Sequence, residues 1–378
     1  MAAEELEGPA VLDVWLTQVH EEPLEPLLPI VDPHHHLWYA RDSPEWRAGT
    51  AAQLSFGGAR SGFGQYLVPQ LLADMHGNNI THTVFLECHS FYDADASPEL
   101  QSLRETTTVQ QLADQHEARG RPGALNHRGE GGTAVCAGIV SNVDLALGAA
   151  VGTVLDAHAA ASANFKGIRH SCSYADDANI FQASPGKPDV LDDPKFREGF
   201  ACLAPRGLTF ETWLFHLQLP ALVRLARDFP DQTIICDHVA MPLGISSFAS
   251  ERGWDGSVAT EWRAGIEALS KFPNVYVKLG GLTQPHAGFE FNLRAKPPGS
   301  EELADAVGPY YSFVIDHFGA ERCMYESNFP PDRASCSYTV LWNAFKRISK
   351  ARGCSDTEMT ALFGGTAKRV YRLEGGKL

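Results

Sequence analysis

The sequence has no excess of positive charge, no close cysteine pair and no long apolar run. Of its 378 residues, 31 are Lys or Arg and 46 are Asp or Glu, which gives a formal net charge of −15. A general nucleic-acid-binding protein is therefore not expected, because phosphate contacts need clustered Lys and Arg. No apolar stretch approaches the roughly 20 residues that a membrane-spanning helix needs, so no membrane partner is expected either.

Cysteine usage also excludes some classes of protein. The eight cysteines are scattered and include no C-x-x-C pair, so no disulfide framework is predicted. Cys88, Cys136 and Cys236 lie in apolar, strand-like runs that are typical of buried thiols in a reducing compartment. Residues 1–8 are acidic and lack the apolar core of a secretory signal. We therefore expect a cytoplasmic protein.

What the sequence does contain is a regular alternation of strand and helix patterns. Eight apolar strand candidates alternate with amphipathic segments, among them predicted helices over residues 103–118 and 357–370. This order predicts an α/β fold, a (β/α)8 TIM barrel with long loops over the C-terminal face. Residues 1–28 are predicted to be an N-terminal extension, and residues 29–378 the barrel domain.

Polar residues recur where the predicted strands end. In barrels of this kind the reactive groups sit at the C-terminal ends of the strands, so the repetition predicts one shared site. The residues at these ends are His34, His36, Glu87, Arg169, His170, Glu211, His238 and Asn328.

The segment 30–38, with the sequence IVDPHHHLW, carries the sharpest signal. Side chains on a strand alternate between its faces, so Asp32, His34 and His36 are predicted to share one face and His35 to point the other way. Two imidazoles at this spacing are able to converge on one cation. The alternative is a polar turn whose histidines only form hydrogen bonds.

These segments resemble the amidohydrolase superfamily, in the amidohydrolase-related branch that includes lactonases and decarboxylases. The resemblance runs from about residue 30 to the C-terminus and is carried by DPHHHLW, TVFLEC, AGIVSNVDL, FKGIRH, DHVAMPLG, NVYVKLGGL and ESNFPPD. It implies a hydrolytic or decarboxylating site at the barrel mouth, often with one divalent metal. Related lactonases are thought to work without metal, so both modes stay open, with zinc as the expected ion.

The resemblance also implies individual roles. His34 and His36 match the metal-binding pair of the first strand, and His238 matches a histidine that lies near the reacting carbonyl. A third metal ligand would come from the end of the fifth strand, where Glu211 and His216 are both candidates.

Other candidates are assigned to the substrate. Arg169 would hold a substrate carboxylate through two parallel hydrogen bonds, and Glu87 would face the substrate or pair with Arg169 in a structural salt bridge. Three long segments follow strand ends, over residues 39–65, 89–133 and 284–300, and are predicted to cover the barrel mouth. The further substrate-binding candidates, mostly in these segments, are His170, Tyr39, Tyr92 and Phe289.

One position departs from the family pattern. Most relatives carry an aspartate at the end of the eighth strand, where this chain has Asn328. An amide cannot serve as a general base. Water activation is therefore assigned to His238, with Glu87, Glu211 and Asp332 as alternatives, and Asn328 would orient the substrate instead.

The function expected from these features is hydrolysis of a lactone-like or ester C–O bond in a small organic acid. The alternatives are non-oxidative decarboxylation of an aromatic or unsaturated acid at the same site, and a catalytically silent ligand-binding barrel. The expected partner is a small-molecule substrate, and a homo-oligomer is one option for assembly.

Overall fold

The barrel is formed by eight parallel strands. The structure, a computed structural model, describes residues 9–39, 65–121, 132–182 and 187–373. Within these residues the strands form one sheet in the order β1 to β8. β8 returns to β1 through a parallel bridge between Phe329 and His35. The predicted (β/α)8 barrel is therefore confirmed. The strands are β1 Ile30–His35, β2 Ile80–Leu86, β3 Ala134–Asn142, β4 Phe165–Arg169, β5 Thr209–Thr212, β6 Ile234–Cys236, β7 Val275–Leu279 and β8 Cys323–Tyr325.

Helices alternate with these strands. The predicted helix over 103–118 is confirmed in both bounds. No helix in the described ranges is long and apolar enough to cross a membrane. The helices are α1 Pro9–Leu16, α2 Val68–Met75, α3 Leu103–Ala118, α4 Val151–Ala161, α5 Pro194–Phe200, α6 Leu219–Asp228, α7 Ser257–Ser270, α8 Ser300–Phe318, α9 Tyr338–Ala351, α10 Asp356–Thr360 and α11 Thr366–Tyr371.

The strands are apolar because both of their faces are buried. In β2, Val84 and Leu86 pack in a cluster with Val140 and Met324 from other strands. Phe85, between them, belongs to the much larger cluster that includes the helices. The alternation follows from the period of two along a strand. It places every second residue of a strand toward the barrel interior.

The C-terminal segment differs from the single helix predicted over 357–370. A wide helical turn, Ala361–Gly365, separates α10 from α11. A Cβ at Gly364 would lie 3.2 Å from Val31 Cγ2, so the turn passes close to β1. This approach lets α11 pack Val370 and Tyr371 into the cluster of the barrel interior.

Residues 9–28 pack against the barrel. The indole Nε1 of Trp15 donates to the carbonyl of Arg294 at 3.1 Å, and the Lys346 ammonium donates to the carbonyl of Leu24 at 2.5 Å. The boundary at residue 28 stays a prediction.

Candidate active site

The imidazoles of His34, in β1, and of His36, directly after it, converge as predicted. His34 Nε2 and His36 Nε2 lie 3.3 Å apart, in buried surroundings. Asp32 does not join them, because the register of β1 shifts between Asp32 and His35. Its carboxylate instead accepts from the hydroxyls of Ser327, at 2.6 Å, and Tyr338, at 2.9 Å.

A backbone hydrogen bond fixes the proton position of His36, while His34 lies between charged groups. His36 Nδ1 lies 2.9 Å from the carbonyl of Leu86, and His34 Nδ1 lies 2.5 Å from Glu326 Oε2. The Leu86 carbonyl is an acceptor, so Nδ1 of His36 holds the proton. Nδ1 of His34 also lies 3.4 Å from the Lys278 ammonium, which only donates. Burial lowers the pKa of both imidazoles, and nearby positive side chains add to this effect. Each ring is therefore neutral, and His36 has its lone pair on Nε2.

Two imidazole nitrogens at this distance fit a shared cation. A tetrahedral zinc site with Zn–N bonds of about 2.0–2.1 Å separates its nitrogens by about 3.4 Å. The observed 3.3 Å matches this spacing. Asn328 Oδ1 also lies 3.3 Å from His36 Nε2, whereas Arg169 Nη1 lies 3.4 Å from His34 Nε2 and would compete for its lone pair. The donor set present thus fits a divalent metal.

His238 lies beside the pair of His34 and His36, and a carboxylate contacts its Nδ1. Its Nδ1 lies 2.6 Å from Glu326 Oε1, and its ring stacks on that of His34 with centroids 4.7 Å apart. Burial lowers the pKa of His238, but the Glu326 carboxylate outweighs that effect and raises the pKa above its ordinary value of 6.5. Because Nδ1 is engaged, Nε2 is the atom left to exchange a proton with a substrate or water.

Sequence reasoning missed Glu326. Its carboxylate is fully buried and contacts both His34 and His238. A signal was present, because Met324 faces the barrel interior and a residue two positions further along a strand faces the same way. The sequence prediction assigned Asn328, two residues further on, to the site and left Glu326 out.

The interior also holds a second buried cluster that the sequence did not reveal. Lys278 Nζ lies 2.5 Å from Glu211 Oε2, 3.4 Å from Asp237 Oδ1 and 3.4 Å from His34 Nδ1. The neighbouring carboxylates outweigh burial and raise the pKa of Lys278, so it stays protonated, while burial raises the pKa of Glu211. The Tyr371 hydroxyl donates to the other oxygen of Glu211 at 2.5 Å. The C-terminal helix therefore supports a charged group that lies against the site.

Replacing Tyr371 with Phe should lower the free energy of unfolding by about 1.5–3 kcal/mol, the usual contribution of a hydrogen bond to a charged group. Urea denaturation measures the change. Tyr276→Phe, on the half-buried β7 tyrosine, is the matched control and should stay within about 0.5 kcal/mol of the parent. Equal stability of Tyr371→Phe and the parent would contradict this role for the helix.

Glu87 and Arg169 form the ion pair that was one of their two predicted roles. Arg169 Nε lies 2.7 Å from Glu87 Oε1, and Nη2 donates to the Glu87 carbonyl at 2.6 Å. Glu87 therefore already receives two hydrogen bonds from the guanidinium. Nη1 points toward His34 and lies 3.8 Å from Asp237 Oδ2, and a substrate-binding role for Arg169 stays a prediction.

Aromatic side chains surround the end of β2. Tyr92 is half-buried and stacks on His89 at 4.8 Å between ring centroids, and His89 Nε2 reaches Glu87 Oε2 at 3.3 Å. Tyr39 is exposed, and its ring packs edge-on against Phe91 at 6.0 Å. Both tyrosines thus lie beside the segment that follows β2.

The other candidates lie in different surroundings. Phe289 packs against Phe291 and Tyr310, the latter on α8. His170 meets the ring of Phe196 at 5.2 Å, and burial lowers its pKa. These contacts are with packing residues, so a substrate-binding role for Phe289 and His170 stays a prediction.

Neither candidate for the third metal ligand is placed with the histidine pair. Glu211 has both oxygens engaged by Lys278 and Tyr371. The His216 ring packs edge-on against Phe248, and its Nδ1 accepts from the amide of Leu243 at 3.4 Å. Among the described residues, one group of three side chains has ligand atoms close enough for a single ion: His34, His238 and Glu326, all within 4.8 Å of one another. Glu211 and His216 as ligands stay a prediction.

Asn328 contributes to the site through both its backbone and its side chain. Its amide N–H donates to the His34 carbonyl at 2.9 Å, and its φ of 52° lies in the left-handed region, which asparagine tolerates well. Asp332, the alternative base, is fully buried and accepts from the Thr283 hydroxyl at 2.5 Å. Burial raises the pKa of Asp332 to about 7.

Segments that follow successive strands meet on the face where this site lies. The amide of Gly244, after β6, donates to the carbonyl of His286, after β7. His286 Nε2 reaches the carbonyl of Phe181, after β4, and its ring meets Trp213, after β5. The segment 284–300 therefore lies over the carboxyl ends of the strands. Residues 40–64 and 122–131 of the other two long segments lie outside the described residues.

Comparison with known proteins identifies the family of this chain. The amidohydrolase family model matches residues 31–373. The chain belongs to the amidohydrolase family. It is 32% identical over 347 residues to the uncharacterised protein y4mH of Sinorhizobium fredii, covering 91% of this chain and 98% of that protein. It is 28% identical over 275 residues to an L-fucono-1,5-lactonase of Burkholderia ambifaria, covering 72% and 81% of the two chains.

A solved amidohydrolase from Burkholderia multivorans with bound zinc has the same fold. The TM-score is 0.65 at 23% sequence identity, and the match covers 91% of this chain and 99% of that chain. Membership in the family supports an enzyme with hydrolase-type chemistry.

Proposed function

We propose that this amidohydrolase hydrolyses a lactone-like ester bond in a small organic acid, with His238 as general base. The buried His238–Glu326 pair beside the convergent Nε2 atoms of His34 and His36 carries the proposal. A carboxylate on Nδ1 of an imidazole whose Nε2 faces a reacting group is a recurring arrangement for activating a nucleophile. The similarity to an L-fucono-1,5-lactonase favours a lactone as the substrate.

Each site residue has a separate role in the proposed hydrolysis. Nε2 of His238 takes a proton from the attacking water and returns it to the leaving alkoxide. Arg169 offers Nη1 to a negatively charged group of the substrate. Asn328 orients the substrate by hydrogen bonding from the end of β8. His34 and His36 would hold a divalent ion, zinc by our assignment, through their Nε2 atoms, and such an ion supplies polarisation of the carbonyl.

A lactone panel tests the proposal directly. We expect the purified protein to accelerate ring opening of at least one sugar-derived 1,5-lactone, measured by acid release at constant pH against the spontaneous rate. Matched open-chain aromatic acids should release no carbon dioxide. Carbon dioxide release without lactone hydrolysis would replace the proposal with a decarboxylase, and binding of lactones without turnover would indicate a silent barrel.

A further inference from the structure

We infer that Glu105 is a positioning residue that holds His89 beside Glu87 at the mouth of the barrel. Glu105 lies on α3 and is buried, whereas His89 lies in the segment that follows β2 and is exposed. The link between them runs through the backbone of a bend at residues 88–90. The effect of this link on substrate binding rests on the proposed function, but the position of His89 does not.

One oxygen of Glu105 receives both of the amides that flank His89. Its Oε1 accepts from the amide N–H of Ser90 at 2.8 Å and from the amide N–H of Cys88 at 3.3 Å. Backbone N–H groups that converge in this way form a concave site for an anion. In this protein the anion is a side chain of the neighbouring helix.

The backbone conformation of His89 needs such support. Its φ of 60° lies in the left-handed region, which costs free energy for residues other than glycine and persists where the surroundings impose it. Residues held in this way are concentrated at functional sites. Because Glu105 binds the amide on each side of His89, its carboxyl group helps to impose this conformation.

The bend places the His89 imidazole close to the candidate site. His89 Nε2 lies 3.3 Å from Glu87 Oε2, and the ring stacks on Tyr92 with centroids 4.8 Å apart. Glu87 in turn pairs with Arg169, whose Nη1 lies 3.4 Å from His34 Nε2. The His89 side chain, 42% exposed, is therefore the outer end of a series of contacts that begins at His34. An imidazole there both donates and accepts hydrogen bonds, which suits the hydroxyl groups of a sugar-derived lactone.

The same bend also holds the segment that follows β1. The Ser90 hydroxyl accepts from the amide N–H of Tyr39 at 3.0 Å, and the Cys88 thiol lies 3.3 Å from the carbonyl of Leu37. Loss of the Glu105 hydrogen bonds would therefore loosen two adjoining segments at the mouth.

Glu105 is able to hold the bend in either protonation state. Burial raises its pKa to about 7, and the charge of Glu87 adds to this rise. A carboxyl group still accepts hydrogen bonds when it is protonated. Glutamine has the shape of the neutral acid and should therefore keep the bend in place. Methionine has a similar length but no oxygen, and its flexible side chain fills irregular buried spaces.

The first test compares Glu105→Met with Glu105→Gln by NMR. In Glu105→Met we expect the Ser90 amide to exchange its hydrogen about 10-fold faster or more, as for a lost hydrogen bond to a charged group. The ring-proton signals of His89, assigned with His89→Ala, should shift because the stacking on Tyr92 is disturbed. Glu105→Gln should restore most of both properties. Glu117→Met, at an exposed position of α3, is the matched control and should behave as the parent.

The second test asks whether Glu105 acts through His89. We expect Glu105→Met and His89→Ala each to raise KM by about 2- to 10-fold, the effect of one hydrogen bond, with kcat within about twofold of the parent. The substrate is the sugar-derived 1,5-lactone that the parent enzyme opens fastest. The double variant should have the KM of His89→Ala alone, because both changes remove the same contact. Glu105→Gln should restore most of the affinity.

The outcomes separate this inference from the proposed function. An unprotected Ser90 amide in the parent protein would overturn the inference, even if Glu105→Met failed to fold. Unchanged His89 signals in a folded Glu105→Met variant, or additive losses in the double variant, would overturn it as well. If no lactone is opened but the Ser90 and His89 signals respond as expected, the proposed function falls and the positioning of His89 by Glu105 stands.

Discussion

Replacing both His34 and His36 with Ala is expected to leave the protein without a bound divalent metal and without measurable lactone turnover. The two Nε2 atoms are 3.3 Å apart and both rings are neutral. Removing them takes away the two nitrogens that would set metal affinity. Metal content after expression with added zinc, measured by elemental analysis, should fall from about one ion per chain to background.

The same stretch of sequence offers a matched control. His35 lies between the two histidines but faces the other way, with Nε2 2.9 Å from the Thr83 hydroxyl. His35→Gln retains a polar side chain there and should keep the metal. Full metal occupancy in the double variant would refute the assignment of His34 and His36. A parent enzyme that is active, free of metal and insensitive to chelators would point to the metal-independent mode of hydrolysis.

The parts of this site that the sequence predicted are those that depend on local periodicity. The alternation of strand and helix patterns predicted the barrel, and the spacing of His34 and His36 predicted that their imidazoles converge. Both follow from repeating geometry within a few residues. Asp32 did not follow its predicted face, because an irregularity in β1 intervenes, and a period-two pattern cannot anticipate such a shift.

The missed residues have a different physical origin. Lys278 lies in β7 and Glu326 directly after β8, and their charge is tolerated only because partners from other parts of the barrel neutralise it in the interior. The contact between Tyr371 and Glu211 joins residues 160 positions apart in the chain. Such pairings depend on how the barrel closes, and neighbouring residues in the sequence carry no record of them.

Replacing His238 with Ala is expected to lower turnover of a lactone substrate by about 100- to 10,000-fold, the usual contribution of a general base. The reason is that His238 is the imidazole with a carboxylate on Nδ1 and an Nε2 left for the reacting water. Asn328→Asp should do much less harm, because the residue at this position orients the substrate rather than accepting the proton. Asn328→Ala is the comparison variant, and should raise KM more than it lowers kcat.

The pH dependence of kcat/KM independently tests the assignment of His238 as the general base. A general base works in its neutral form, and Glu326 favours the protonated form of His238, which raises its pKa above 6.5. The rate should therefore rise with pH through a limb whose midpoint lies above 6.5, and that limb should be absent in His238→Ala. If His238→Ala instead keeps the parent rate and Asn328→Ala abolishes it, the base must be sought among Glu87, Glu211 and Asp332. Asp332 would be the first of these to test, because burial already raises its pKa to about 7 and its amide N–H donates to the Asn328 carbonyl at 3.1 Å.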